Sequence, residues 1–275
     1  MYRQYPMIEQ SVSAIPLLFF NNLLPFDNFF HAISTRRGGL SSGPYSTLNL
    51  GLDTGDDTET VLKNYAAVSS ALEFQLPLLV ASRQVHGTEV VFIGKEYKGR
   101  SHSPLVPPLA GYDALVTREP DITLIVRVAD CVPIILFDPV QQAVAVVHAG
   151  WRGTLAGVGK QTVKEMVERC HSKPEHMLAG IGPSIGPCCC EVQEQVANLF
   201  RSKTPQAARC VEETDNKMFL NLWEVNRLQL VAQGIPAANI EVAQLCTVCC
   251  PDLFFSYRRE QGETGRFGAF VGLRR

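Results

Sequence analysis

Three residues in this chain are of the types that could do chemistry together: His86, Cys131 and His148. Each closes a strand-like apolar run and sits in a short turn bearing glycine or aspartate. The segments are Gln84-Val85-His86-Gly87, Ala129-Asp130-Cys131 and Val147-His148-Ala149-Gly150-Trp151-Arg152-Gly153. Two imidazoles and one thiolate make a three-ligand zinc set. Three protein ligands leave a fourth position for water or substrate, which separates catalytic zinc from closed structural zinc. The wide spacing carries little by itself; the turns around each residue carry the signal. Other readings stay open. Each residue could be an ordinary core thiol or imidazole. Cys131 and His148 could instead pair as nucleophile and base without a metal, an account that leaves His86 unused. Asp130 either orients a ligand, acts as a general base or caps its turn.

Arginines supply a second ingredient. Arg37 lies in Ser34-Thr35-Arg36-Arg37-Gly38-Gly39, where paired glycines admit a ligand close to the backbone and a guanidinium suits phosphate or carboxylate. A tight turn with solvated arginines fits the same residues. Arg152 stands at the start of a helix, where N–H groups and the dipole favour an anion, or where a salt bridge would serve. Arg258, Arg259 and Arg266 lie near aromatic residues and either hold a base and a phosphate or form surface charge. Cys188-Cys189-Cys190 and Cys246-x-x-Cys249-Cys250 raise a second zinc or an iron–sulfur site, although no second Cys-x-x-Cys completes the usual pair. His31, His102, His171 and His176 have no ligand context and read as surface or satisfied core residues.

These side chains need elements to position them. Strands are predicted at Leu17–Phe20, Phe30–Ser34, Leu78–Ala81, Glu89–Ile93, Ala114–Thr117, Ile122–Val128, Pro133–Phe137 and Ala143–Val147, from β-branched and aromatic content bounded by turn residues. Further strands are predicted at His176–Ile181, Ile240–Val242, Phe254–Ser256 and Gly268–Gly272. Helices are predicted at Asp57–Leu72, Thr154–Arg169, Glu191–Arg201 and Leu222–Gln233 from their apolar periodicity. Strands outnumber helices and do not alternate strictly with them, which favours α+β with mixed sheets over a doubly wound fold. An antiparallel hairpin spanning 133 to 147 would set Cys131 and His148 side by side at its open end.

The chain has 275 residues, a formal charge of −2, 46 % hydrophobic and 19 % charged residues. That suits an ordinary globular protein, and one continuous domain is the preferred reading. No basic tract is present, which argues against nucleic acid and anionic membrane as partners. The apolar runs are too short to span a bilayer, and no basic leader precedes Ile15–Phe20, so neither an anchor nor a signal peptide is expected. Nine cysteines, six of them in two clusters, do not suit a disulfide framework and indicate a reducing cytoplasm.

Taken in order, Arg36-Arg37-Gly38-Gly39, Leu48-Asn49-Leu50-Gly51, Gln84-Val85-His86-Gly87, Ala129-Asp130-Cys131, His148-Ala149-Gly150-Trp151-Arg152-Gly153, Gly182-Pro183-Ser184-Ile185-Gly186-Pro187 and Phe254-Phe255-Ser256-Tyr257-Arg258-Arg259 resemble the YfiH/LACC1 family over about residues 30–274. The resemblance implies a single α+β domain over 1–275, with mixed β-sheets packed with helices and residues 1–28 as an N-terminal extension and first strand. It implies zinc held by His86, Cys131 and His148. It also implies phosphorolysis of adenosine, inosine and methylthioadenosine, together with deamination of adenosine. On that reading Asp130 and Arg152 are catalytic, Arg37, Asn49 and Arg258 bind substrate and phosphate, and the partners are a purine nucleoside and phosphate. The rivals are a copper-dependent polyphenol oxidase, a metal-free Cys–His hydrolase, and a non-catalytic protein that keeps a zinc. The absence of any His-x-His argues against a multicopper enzyme. Cys190 departs from the family's usual aromatic residue, and Cys249-Cys250 is also outside its pattern.

Overall fold

The strand Val132–Asp138 is buried at all seven positions because both of its faces are covered. Ile135 and Phe137 belong to a core shared with a second sheet, whereas Ile134 and Leu136 belong to a core shared with helices. Two apolar faces with a period of two residues read in sequence as one unbroken apolar run. The computed structural model describes residues 7–97 and 109–274. The Pro/Ser-rich stretch Ser101 to Pro108, whose composition marks it as a surface loop, lies outside the described residues together with its His102.

Val132–Asp138 belongs to a six-stranded sheet in the order Ile240–Val242, Leu178–Ile181, Val132–Asp138, Ala143–Ala149, Ala114–Thr117, Val90–Ile93. Its two outermost pairs are parallel and its inner pairs antiparallel. A seven-stranded sheet runs Ile8–Val12, Ile15–Phe19, Phe29–Ser34, Phe267–Leu273, Thr123–Val128, Leu79–Arg83, Leu109–Ala110, also with mixed directions. The two sheets pack face to face through Leu18, Ile33, Leu124, Val126 and Val271 on one side and Leu115, Ile135, Phe137, Val144 and Val146 on the other. Phe29 and Phe137 stack across this interface at 4.1 Å between ring centroids.

Helices close the outer faces. Thr58–Leu72 starts where the Asp57 carboxylate accepts the Thr60 N–H at 2.8 Å, a standard N-cap. Its Val61, Tyr65, Val68 and Leu72 bury against Leu17, Ala32, Leu79 and Phe270 of the seven-stranded sheet. Val158–Cys170 and Leu222–Ala232 cover the six-stranded sheet with Val158, Val163, Met166, Leu222, Val225 and Leu230. The result is an α+β fold with mixed sheets, as expected. No helix among the described residues is long and apolar enough to cross a membrane.

Three expectations need correction. The helix predicted over Thr154–Arg169 is two helices, Trp151–Ala156 and Val158–Cys170, because Gly157 adopts the left-handed conformation at φ 89° between them. Phe254–Ser256 is not a strand. Its aromatic side chains are buried, but its carbonyls serve turns, with the Ser256 and Phe254 oxygens taken by Glu260 N–H and the Arg259 guanidinium. Glu191–Val192 is strand, paired with Lys217–Leu220 and Val211–Thr214 in a small third sheet, and the helix there runs Glu194–Lys203. Short strands of mixed polarity carry too weak an alternation to be seen in sequence.

Candidate active site

Four neighbouring strands of the six-stranded sheet end on one line. The hairpin register pairs His148 with Pro133 and Ala149 with Val132, so Cys131 falls opposite Gly150 and diagonally across from His148 on the same face, at the open end the sequence indicates. Val147 pairs with Ala114, which places Asp113 next along the line, and Ala114 pairs in parallel with Val90, which places the His86 turn after it. The ligand atoms of His86, Cys131 and His148 all lie within 4.8 Å of one another. The two imidazole rings meet edge to face at 4.8 Å.

Asp113 organises the group, and sequence reasoning missed it. Its side chain is fully buried. Its carboxylate accepts the backbone N–H of His86 at 2.9 Å, of Gly87 at 2.7 Å and of Val85 at 3.2 Å. The same carboxylate lies 2.8 Å from His148 Nδ1, and its carbonyl accepts the His148 N–H at 2.7 Å. An ionised carboxylate only accepts, so Nδ1 carries a proton and Nε2 is the ring nitrogen turned towards Cys131. Burial works against the Asp113 charge, but the bonds from His148 and Gly87 overcome it and hold its carboxyl below the ordinary range. The one available signal was an acid placed immediately ahead of the wholly buried strand Ala114–Thr117, where a buried charge demands partners.

The backbone is shaped around the group. His86 holds a left-handed φ of 61°, which Asp113 fixes through the N–H groups on both sides of it. Gly150 packs so closely that an added Cβ would stand 2.8 Å from His86 Cδ2 and 3.2 Å from the Cys131 sulfur. Burial would push the Cys131 thiol up, yet the His148 charge and hydrogen bonds from both histidines bring it down to about 6. Burial would likewise lower His148, but the Cys131 thiolate and Asp113 raise it to about 9. Between about pH 6 and 9 the metal-free pair is therefore a thiolate and an imidazolium. A thiolate and two imidazoles, one of them backed by a carboxylate, are the donor set and outer shell that zinc favours. Asp113 and the three ligands fit such an ion.

The group forms part of the wall of a cavity of about 1200 Å³. Arg83, Arg127, Arg258 and Arg266 line it, together with Tyr257 and Trp151. Four guanidiniums around one cavity favour an anionic ligand. Arg266 lies over the Tyr257 ring at 5.8 Å and donates to the Thr264 and Gly265 carbonyls.

The other residues singled out in sequence divide sharply. Arg258 lines the cavity; its N–H donates to Asp130 and its guanidinium to the Cys189 and Glu191 carbonyls. Asp130 lines it too, with one carboxylate oxygen accepting the Thr247 hydroxyl at 2.6 Å and the other the Arg258 N–H at 2.6 Å. Asn49 is buried behind the wall, donating to Thr54 and Asp56 and accepting from Gly51 and Arg266 N–H. Arg152 and Arg37 are exposed and not among the lining residues. Arg152 stacks on Trp151 at 4.2 Å, and Arg37 donates to the Asp252 carbonyl. His31 is a satisfied core residue as expected; its Nε2 accepts the Phe20 N–H at 2.8 Å, and burial lowers it to about 3. Sequence gives no sign of Arg83 and Arg127 as wall residues, because isolated polar residues near strand ends carry no local motif, and Tyr257 is visible there only as a neighbour of Arg258.

Comparison with known proteins adds names to this geometry. Residues 30–274 match the family model described as multi-copper polyphenol oxidoreductase laccase. The chain is 38 % identical over 252 residues to the purine nucleoside phosphorylase YlmD of Geobacillus stearothermophilus, covering 91 % of this chain and 92 % of that protein. It is 38 % identical over 247 residues to the adenosine deaminase RL5 of an unknown prokaryotic organism, covering 89 % and 93 %. The crystal structure of the Bacillus licheniformis hypothetical protein YfiH superposes with a TM-score of 0.89 at 33 % identity, covering 99 % of this chain and all of that one.

Proposed function

This chain belongs to the family described as multi-copper polyphenol oxidoreductase laccase, the YfiH/LACC1 family of the sequence resemblance, and we propose from that premise that it is a zinc-dependent purine nucleoside phosphorylase with adenosine deaminase activity. The observation that carries the reading is the His86–Cys131–His148 set opening onto a cavity walled by four arginines. A metal set alone suits many reactions; an anion-binding wall beside it suits a nucleoside and phosphate. Adenosine, inosine and methylthioadenosine are the proposed substrates, and a reducing cytoplasm the proposed setting.

His86, Cys131 and His148 would hold the ion, and zinc bound there would supply Lewis acidity and lower the pKa of a water towards neutrality. Asp113 keeps the proton on His148 Nδ1, so that Nε2 stays a ligand. Arg127, Arg258 and Arg266 bind the phosphate and orient it towards C1′ of the ribose. Tyr257, exposed on the wall, offers a ring face to the purine. Asp130, with both oxygens engaged, holds Thr247 and Arg258 in place as a positioning residue. Asn49 positions Arg266, Arg37 anchors the segment ending at Asp252, and Arg152 acts through Trp151.

Product analysis tests the reading. Zinc-loaded protein is incubated with adenosine, with and without phosphate. Adenine and ribose 1-phosphate formed only with phosphate establish the phosphorylase, and inosine in either tube establishes deamination. Cys131→Ser is expected to lose the zinc of this site and both activities together. No product from intact, zinc-loaded protein would refute the proposal. Copper phenol oxidation is the rival named by the family description, since two histidines and a cysteine also suit a blue copper ion. Among the described residues the other clustered metal-ligand group is wholly cysteine, not the histidine-rich cluster a multicopper oxidase needs. Metal analysis and the absence of a blue absorption band separate the two. Retained turnover after chelation, abolished by alkylation, would instead favour a Cys–His hydrolase.

A further inference from the structure

A second group of potential ligands lies outside the set described above. Cys188 and Cys189 come from the turn after Gly186-Pro187, and Cys246 and Cys249 from a turn far along the chain. Ser184 and Cys246 form a parallel bridge, with Thr247 N–H donating to the Ser184 carbonyl at 3.0 Å, and this pins the turns together. All four sulfurs lie within 4.8 Å of one another. Cys249 Sγ stands 3.6 Å from Cys188 Sγ and 3.5 Å from Cys189 Sγ.

Thiols are weak hydrogen-bond partners, so mutual attraction is a poor reason for four to converge. The surroundings of Cys246 give a better one. Its sulfur is buried and accepts the Gly186 N–H at 3.3 Å, and the N–H groups of Cys249 and Val248 also point at it. Backbone amides aimed at one sulfur favour a thiolate, the form that binds metal. Those amides prepare one sulfur to ligate a cation.

We propose that Cys188, Cys189, Cys246 and Cys249 form a second metal site, a tetrahedral tetrathiolate site for a structural zinc ion. Zn–S bonds of about 2.3 Å set the sulfurs of a tetrahedron about 3.8 Å apart. The spacings of 3.5 Å and 3.6 Å, with all pairs inside 4.8 Å, suit one ion. They leave no room for an iron–sulfur cluster, whose irons and sulfides sit inside the ring of thiolates. Binding forms four Zn–S bonds, and each sulfur still protonated gives its proton to solvent. Four protein ligands leave no open position, so the role is to hold structure. Two turns would be stapled. One leads into Cys190 and Glu191 on the cavity wall, and the other leads towards Tyr257 and Arg258. Arg258 already donates to the Cys189 carbonyl, which brings a cation beside the anionic site.

The test separates this site from the first one. Wild-type protein grown with zinc and purified under reductant is expected to carry two zinc ions per chain by elemental mass spectrometry. Cys131→Ser should carry one. Adding Cys188→Ser and Cys249→Ser to Cys131→Ser should remove it; both are exposed positions whose replacement spares the core. In the Cys131→Ser chain loaded with cobalt, the strong bands of a tetrahedral tetrathiolate should appear, and they should vanish with Cys188→Ser. In the Cys131→Ser chain a thiol-reactive dye should find four more thiols after chelation than before. These readouts do not depend on any nucleoside activity. The proposal is overturned if folded wild-type protein holds no more than one ion and Cys131→Ser none. It is also overturned if intact mass reveals a disulfide within the four, or if iron with acid-labile sulfide occupies them.

Discussion

Asparagine at position 113 would test how the metal set is oriented. Four N–H donors converge on the Asp113 carboxylate: those of Val85, His86 and Gly87, and His148 Nδ1. An amide keeps one acceptor and replaces the other with a donor. If the NH₂ faces Gly87, a buried N–H loses its acceptor and meets another donor. If it faces His148, the Nδ1 proton must leave, the ring takes the other tautomer, and Nε2 keeps a proton where it would have to ligate the ion. Either orientation leaves at least one buried donor unsatisfied, at a cost of about 1–3 kcal/mol. Losing an outer-shell partner of a ligand typically weakens metal binding about 10–100-fold, or about 1.4–2.8 kcal/mol, so the two routes agree. Asp113→Asn is therefore expected to weaken zinc binding about 10–100-fold in a competition with a chromophoric chelator. The metal-free variant should also lose about 1–3 kcal/mol in denaturant unfolding. Zinc affinity within about twofold of wild type would refute the orienting role of Asp113.

Gly150→Ala should lower zinc affinity at least about tenfold, since its Cβ would press on the His86 ring and the Cys131 sulfur; the same competition assay reads it. In chelated protein the Cys131 thiol is lowered to about 6, so the thiolate dominates above that pH. Its alkylation rate, followed by peptide mass spectrometry, should level off near neutrality; a rate still climbing towards pH 9 would exclude the thiolate–imidazolium pair. Phe137→Ala removes a fully buried ring stacked on Phe29 and should cost about 3–5 kcal/mol in denaturant unfolding.

How much of this was legible in the sequence follows from how local each signal is. The hairpin carrying Cys131 and His148 was legible because two apolar runs flank a short turn, and its register then dictates their contact. His86 was legible as a residue in an unusual turn, but not its place on the same line, which depends on parallel pairing across a long connection. Asp113 was invisible because an acid becomes informative only once its burial is known. Arg37 and Arg152 were chosen for glycines and a helix start, features that say a backbone can approach an anion, not that it faces the cavity. The cysteine clusters were noticed, but sequence spacing gave no second Cys-x-x-Cys. The missing pair is assembled by the Ser184–Cys246 bridge, which no spacing rule contains.

The line of four strand ends that carries the site has an opposite end. There the hairpin turns through Pro139–Gln142, and Asp138 holds the turn by accepting the Val140 and Gln141 N–H groups. Nothing in the ligand geometry passes through that turn, because the pairing of Ala149 with Val132 fixes Cys131 against His148 from the near end. The fold thus separates a pole whose spacing is set by backbone pairing from a pole free to change length. Residues inserted between Pro139 and Gln142 should lengthen the far loop and leave metal affinity unaltered. One residue inserted between Asp130 and Val132 would slip the near end and dismantle the site. Tolerance to insertion, mapped along this one sheet, is therefore a direct readout of which end does the chemistry.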